Sequence, residues 1–272
     1  MLLRHRPSPP LAAWIDSIWL AEREALPHSR ERSLPTGCTD IVIPLLQDSI
    51  VRFDGVDDLD PKHFRGGIVQ GPHDRFSVRG MGGPSSVIGV HFKPGGAAAF
   101  FGGALPDTRN RTVLLDDLWG AQARELRERL QAAASPAHRI RLLELVLTRR
   151  LMNALPGDLM VRSALRALHA DPSSASIEPV QQASGCSPAQ FIRRFEASVG
   201  LTPKRYARVQ RFNALLPTLV RAGPRDWASL AADAGYFDQS HLIHEFKRFA
   251  GVTPTAYAPL SADQPTHVPL KP

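Results

Sequence analysis

The chain has 272 residues, with 33 Lys and Arg against 26 Asp and Glu and hence a net charge of +7; that length suits two domains, and a basic balance suits a polyanionic partner without identifying one. Two cysteines, Cys38 and Cys186, are too few and too far apart for a disulfide framework, which points to a reducing, cytoplasmic setting. No apolar stretch approaches the roughly 20 residues of a membrane span and no secretory signal opens the chain, so neither a membrane partner nor export is expected.

Residues 5–10, HRPSPP, read as a flexible start. From 41 to 92 short β-prone runs (41–43, 50–53, 67–69, 76–78 and 87–90) alternate with the turn pairs Asp54-Gly55, Gly66-Gly67 and Gly82-Gly83, a pattern that predicts a small β-sandwich or barrel. Gly95-Gly96 and Gly102-Gly103 lack P-loop or dinucleotide spacing and are expected to serve helix entry and exit. Asp116 or Asp117 should start a helix carrying Leu118, Trp119, Leu126 and Leu130. Ser135-Pro136 should start another, with Ile140, Leu143, Leu147 and Leu151 on one face, widened by Leu142, Leu145 and Val146. So wide a stripe needs two partners: the helix is either buried between its hairpin mate and the β-domain or it forms a subunit interface. Leu155-Pro156-Gly157 should then break the helix. The expected organisation is α+β: a β-rich domain with a helical hairpin over 1–156, an all-α domain over 157–258, and a flexible Pro-rich tail over 259–272.

His28, His63, His73 and His91 raise the question of a metalloenzyme in the β-domain. None forms a His-x-His or His-x-x-x-His pair, so local ligation is not written there, and no Ser or Cys nucleophile carries a recognisable motif. No catalytic residue, metal ligand or cofactor is predicted.

The last third repeats itself. GCSPAQFIRRFEASVGLTPKRY at 185–206 returns as GYFDQSHLIHEFKRFAGVTPTAY at 235–257, so that Phe191, Phe195, Gly200, Thr202, Pro203 and Tyr206 recur as Leu242, Phe246, Gly251, Thr253, Pro254 and Tyr257, displaced by 51 (254 minus 203). Each copy reads helix, Gly turn, helix. In the second, Asp226 caps a helix carrying Trp227, Leu230, Ala231 and Ala234, Gly235 turns, and Asp238 caps the next. There Leu242, Phe246 and Phe249 must face a core, leaving Ser240, His241, His244, Lys247 and Arg248 outside. In the first copy Phe191, Phe195 and Val199 point in while Gln190, Arg193 and Arg194 point out. Thr202-Pro203 and Thr253-Pro254 look like N-caps followed by proline, each starting a helix; the first should run to about Leu216 and join the copies.

A Gly turn, a capped helix with two apolar residues four apart, then Gly-x-Thr-Pro-x-x-Tyr, present twice over 157–258, resembles the AraC/XylS-type transcriptional regulators. The resemblance implies seven helices, two of them recognition helices entering successive major-groove segments of double-stranded DNA across a rigid linker helix. By position it makes Ala189, Gln190, Ile192 and Arg193, and Gln239, Ser240, Ile243 and His244, the base-facing candidates, with Arg194, His241, Lys247 and Arg248 beside them on the DNA-binding surface. Gln181 stands where the family has a small Ala and the second copy has Ala231; Cys186 stands where the second copy has Tyr236; and Ile192 and Ile243 are poor hydrogen-bonding readers, so phosphate contacts and DNA shape should matter more. LPTGCTDIVI at 34–43 and GVHFKPGGAAAFFG at 89–102 are similar to the cupin-like N-terminal barrel of one AraC-type subgroup, which implies a sensor or dimerisation module. Further partners implied are a small-molecule effector, RNA polymerase and a second copy of the chain. The competing readings are a cupin-type metalloenzyme and a DNA-repair protein with an appended DNA-binding domain, although two distant cysteines cannot supply a four-thiolate site. Residues 157–258 carry 12 Lys and Arg against 8 Asp and Glu, or +4, which suits DNA.

Overall fold

The computed structural model describes residues 1–26, 28–154, 157–174, 176–221 and 226–270. Nine strands come first: β1 (Leu2–His5), β2 (Ile15–Arg23), β3 (Arg30–Ser33), β4 (Asp40–Pro44), β5 (Ser49–Phe53), β6 (Lys62–Arg65), β7 (Ile68–Gln70), β8 (Ser77–Gly80) and β9 (Ser85–Phe92). Helix α1 (Ala98–Phe101), strand β10 (Thr112–Leu114) and helices α2 (Leu115–Trp119), α3 (Ala121–Ala132) and α4 (Pro136–Met152) follow. The C-terminal part holds α5 (Leu159–Ala170), α6 (Ile177–Ala183), α7 (Pro188–Val199), α8 (Pro203–Arg221), α9 (Trp227–Asp233), α10 (Gln239–Ala250) and a last strand, β11 (His267–Pro269).

The strands make two antiparallel sheets, ordered β1-β2-β9-β4-β7-β10 and β11-β3-β8-β5-β6. No strand is shared between them among the described residues, so the expected closed barrel is instead an open pair of sheets. The first sheet alternates as a half-buried strand should: Ile18, Leu20, Ile41, Ile43, Ile88, Val90 and Phe92 face α1 to α4 and make one core with Leu115, Leu126, Leu143 and Leu147. Its other face carries Asp40, Gln70 and His91 beside Trp19 and Val42 and looks toward the second sheet. Arg52 Nη2 donates to Gln70 Oε1 at 3.0 Å, and Gln70 Nε2 donates to Ser77 Oγ at 3.2 Å, tying β5, β7 and β8 together.

Three expectations change in this region. The helix expected from Asp116 is broken, because Gly120 at φ +61° ends α2 and restarts the chain as α3. Residues 5–10 are not loose: Pro7 is buried beside β1. The tail also returns, with His267, Val268 and Pro269 pairing with Ser33, Arg32 and Glu31 of β3, so that 259–270 is bound to the N-terminal sheet rather than flexible. Leu155 and Pro156 of the expected helix breaker lie outside the described residues. As for α4, Ile140, Leu142, Leu143 and Leu147 are buried within the chain, which is the buried-helix alternative; of its large apolar side chains Leu145, at 45%, and the terminal Met152 are well exposed.

The two parts of the chain share apolar surface. Leu34 and Val268, from the N-terminal sheets, are buried in one cluster with Val209, Phe212, Leu216, Phe246 and Phe249. The 34–38 segment lies along α8, where Gln210 Nε2 donates to Thr36 O and Asn213 Nδ2 to Pro35 O, both at 3.0 Å. Gly37, at φ +74°, lies against the Tyr206 ring.

Candidate nucleic-acid interface

Both helix-turn-helix copies form, and local chemistry explains why. Ser187 caps α7 in a capping box: its Oγ accepts from Gln190 N at 3.4 Å, and Gln190 Oε1 accepts from Ser187 N at 3.3 Å. Asp238 caps α10, its Oδ1 accepting from His241 N at 2.7 Å, and Asp226 caps α9 through Ala228 N at 3.0 Å. The turns before the two exposed helices are made at Gly185 and Gly235, φ +65° and +72°. Gln181 in the first copy takes a role that Ala231 cannot, since its Nε2 donates to Cys186 O at 2.7 Å and closes the turn.

Beneath each exposed helix lies an apolar floor. Phe191, Phe195 and Val199 of α7 are buried with Val161, Leu165 and Leu168 of α5 and with Tyr206 of α8. Leu242, Phe246 and Phe249 of α10 are buried with Phe212 of α8, ring centroids 5.2 and 5.0 Å from Phe212 for the two phenylalanines. Helix α8 runs past the expected Leu216 to Arg221, through Pro217, and joins the two floors. It is pinned to α10 by Arg208, whose guanidinium forks onto both Glu245 oxygens. Burial pushes the Glu245 carboxyl up, and the hydrogen bonds and charge of Arg208 outweigh it and hold it below the usual range.

The predicted DNA-facing residues divide by surroundings. Ala189, Gln190, Ile192, Arg193 and Arg194 on α7, and Gln239, Ser240, His241, His244, Lys247 and Arg248 on α10, are exposed in the intact chain, so the N-terminal sheets cover neither helix. Ile243 is the exception, partly buried against the second floor. Arg194 is exposed but engaged: its Nε and Nη2 donate to Asp158 at 2.7 and 2.8 Å, and Nη1 to Cys186 Sγ at 3.3 Å. Asp158 also caps α5 through Met160 N and Val161 N, so this pair fastens α7 to the start of the domain. His241 has one ring nitrogen committed, Nδ1 accepting from Phe237 N at 3.2 Å. Arg193 and His244 have no partner among the described residues. The Asp158–Arg194 and Glu245–Arg208 pairs were not foreseen in the sequence, because each joins residues 36 and 37 positions apart.

The seventh helix is absent among the described residues. Thr253 Oγ1 accepts from Ala256 N as a cap would, but only a turn forms before Pro259; the residue before proline disfavours the helical region, and the chain instead heads for β11. Elsewhere, His91 and Asp40 pair at 2.6 Å within the first sheet, yet no group of three His, Cys, Asp or Glu among the described residues could hold a metal ion. Among the described residues no helix is long and apolar enough to cross a membrane.

Two family models match the chain: a domain of unknown function, DUF6597, over residues 3–114, and a helix-turn-helix domain over residues 181–259. AraC-like transcription regulators of Streptomyces antibioticus and Streptomyces lividans are 35% and 33% identical over 102 residues. Those matches cover 37% of this chain and 33% of each relative, so the chain spans about a third of their length. Among solved structures, ToxT from Vibrio cholerae overlays 88% of this chain and 96% of its own at 10% identity and a TM-score of 0.44. The DNA-binding domain of AdpA, solved with a target DNA, overlays 37% of this chain and 90% of its own at 23% identity and a TM-score of 0.33.

Proposed function

We propose that this chain, a member of the AraC-type family through its C-terminal helix-turn-helix domain, is a sequence-specific transcriptional regulator that lays α7 and α10 in successive major-groove segments of duplex DNA. One observation carries the reading: two copies of a capped helix each bury an apolar face and leave the opposite face uncovered in the intact chain. On α7, Arg193 is the direct reader, its planar fork suited to a guanine edge, and Ile192 offers an apolar contact to a thymine methyl. On α10, Gln239, Ser240 and His244 face bases while Lys247 and Arg248 meet phosphates. Arg194 acts through the frame of α7, held by Asp158. Residues 1–156, with the returning tail, form the regulatory unit, in which a small molecule, a second copy of the chain and RNA polymerase are the partners to seek. The protein acts by binding rather than catalysis, in the cytoplasm.

Duplexes recovered from genomic fragments by the full-length chain provide the test. Fluorescence anisotropy should show such a duplex bound at least about a thousandfold more tightly than an unrelated one, with affinity falling steeply as salt rises. Equal affinity for both duplexes would reject sequence-specific recognition.

A further inference from the structure

Between the two domains lies a cavity of about 630 Å³, a volume within the usual range for small-molecule sites. One wall is N-terminal: the Trp14 ring, Pro94 to Gly96 and Phe100. The other is the helix-turn-helix side, with Val161 and Leu165 of α5 and Ala197 of α7, and the end of α4 closes the space with Arg150. The lining is mainly apolar, and three close approaches hold the walls in place. A Cβ on Gly157 would strike the Trp14 ring, one on Gly96 the Trp14 carbonyl, and one on Gly95 would lie 3.1 Å from Leu165 Cδ1.

Arg150 is the unusual member. Its guanidinium stacks over the Trp119 ring, 3.9 Å from the centroid, and Nη2 donates to the neutral Gln122 Oε1 at 2.7 Å. Its Nε is buried with no partner among the described residues, and no carboxylate balances its charge. Burial lowers its pKa from the ordinary arginine value. The one acid in the lining, Asp158, is already spent on Arg194 and two helix amides. A second cation, Arg162, stands at the rim. An apolar chamber with an uncompensated, partly dehydrated guanidinium is complementary to an organic anion, because a buried charge without a partner is costly and a carboxylate matches the arginine fork.

We propose that this cavity binds a small monocarboxylate with an apolar body, the carboxylate against Arg150 and the body among Trp14, Phe100, Val161 and Leu165. Such an occupant touches both domains and lies next to Asp158, which holds Arg194 of α7, so it is placed to act as the effector. The inference deepens the regulatory reading above, but its test uses no DNA, so either can fail without the other.

The test titrates the full-length chain with 8-anilinonaphthalene-1-sulfonate, an anion with an apolar body whose emission rises in dry sites. Saturable one-to-one binding is expected, displaced by 4-phenylbutyrate and not by 4-phenylbutan-1-ol, which has the same body without the charge. Arg150→Gln should weaken binding at least about tenfold, the scale of losing a charged hydrogen bond, while Arg150→Lys, which keeps the charge but neither the fork nor the stack, should fall between that variant and the parent. Hydrogen exchange places the site independently of any variant: the anion should protect amides in 94–103 and 157–165 and leave β5 and β6 unchanged. Non-saturable binding, equal displacement by the alcohol, an unaffected Arg150→Gln variant that unfolds as the parent does, or protection confined to other segments would each overturn the proposal.

Discussion

Arg193 and Arg194 are chemically identical neighbours in very different positions. The first is exposed and unpartnered among the described residues, while the second is clamped to Asp158. Arg193→Ala should therefore cost about 1–3 kcal/mol of operator affinity and relax one base position, as expected for loss of a bidentate base contact; anisotropy against duplexes varied at each position would read both effects. Arg194→Ala should weaken binding to all duplexes alike. The two α10 histidines separate in the same way. His241 accepts from Phe237 N, whereas His244 is uncommitted among the described residues. Within the first sheet the Asp40 carboxylate raises the His91 pKa from 6.5 to about 11. A raised folded-state pKa gives stability that is fully present below pH 6.5 and lost as pH rises through about 11. On the acid side, burial lowers the His73 pKa to about 4, and its contribution is lost as pH falls from 6.5 toward that value. Melting temperature should thus decline from neutral pH in both directions, and Asp40→Asn should flatten the alkaline arm.

Helix α4 shows how an element's surroundings decide what a substitution does. Leu147 is fully buried among β2, α1 and α3 side chains, and Leu145, two positions away, is 45% exposed. Leu147→Glu should abolish the cooperative unfolding transition by placing a charge in the core, and Leu145→Glu should leave it in place; circular dichroism during heating distinguishes them. A Leu147→Glu variant that stayed folded as a monomer would restore the interface alternative. The wide stripe was visible in the sequence and burial against the β-domain was one of its two readings, but the choice was not legible, because the sheet that covers it is assembled from distant strands. The helix-turn-helix copies were legible because everything that makes them is local: capping side chains, glycines at positive φ and apolar residues at helical spacing. β2 went unread for an equally physical reason. A β-bulge between Ile15 and Ser17 shifts the register, so the buried positions run 15, 17, 18 and 20 and the alternation that betrays a strand is broken. β11 could not be foreseen from composition, since a Pro-rich tail pairs only because β3 offers it an edge.

The two domains hold one another at α7 and α10. Gly200 and Gly251, equivalent residues that end α7 and α10, lie against Pro72 and Phe76 of the same β7–β8 connection, and Asp74 between them faces Arg205 of α8 at 3.5 Å. On the opposite edge of the second copy, Val268 of the returning tail fills its floor, and His267 bonds to the buried Glu31. Ending the chain at residue 258 should therefore lower the melting temperature measurably even though no helix is removed, and an unchanged melting curve would show that the tail contributes nothing. The packing also ties the N-terminal sheets to the ends of both helices. The central claim is that both helices read DNA together, and hydroxyl-radical footprinting of the full-length chain on a selected duplex tests it most directly. Two protected blocks about one helical turn, or 10–10.5 base pairs, apart are predicted, with Arg193→Ala weakening one block and a Ser240→Ala, His244→Ala double variant weakening the other. A single protected block, lost to one set of substitutions and indifferent to the other, would contradict the account.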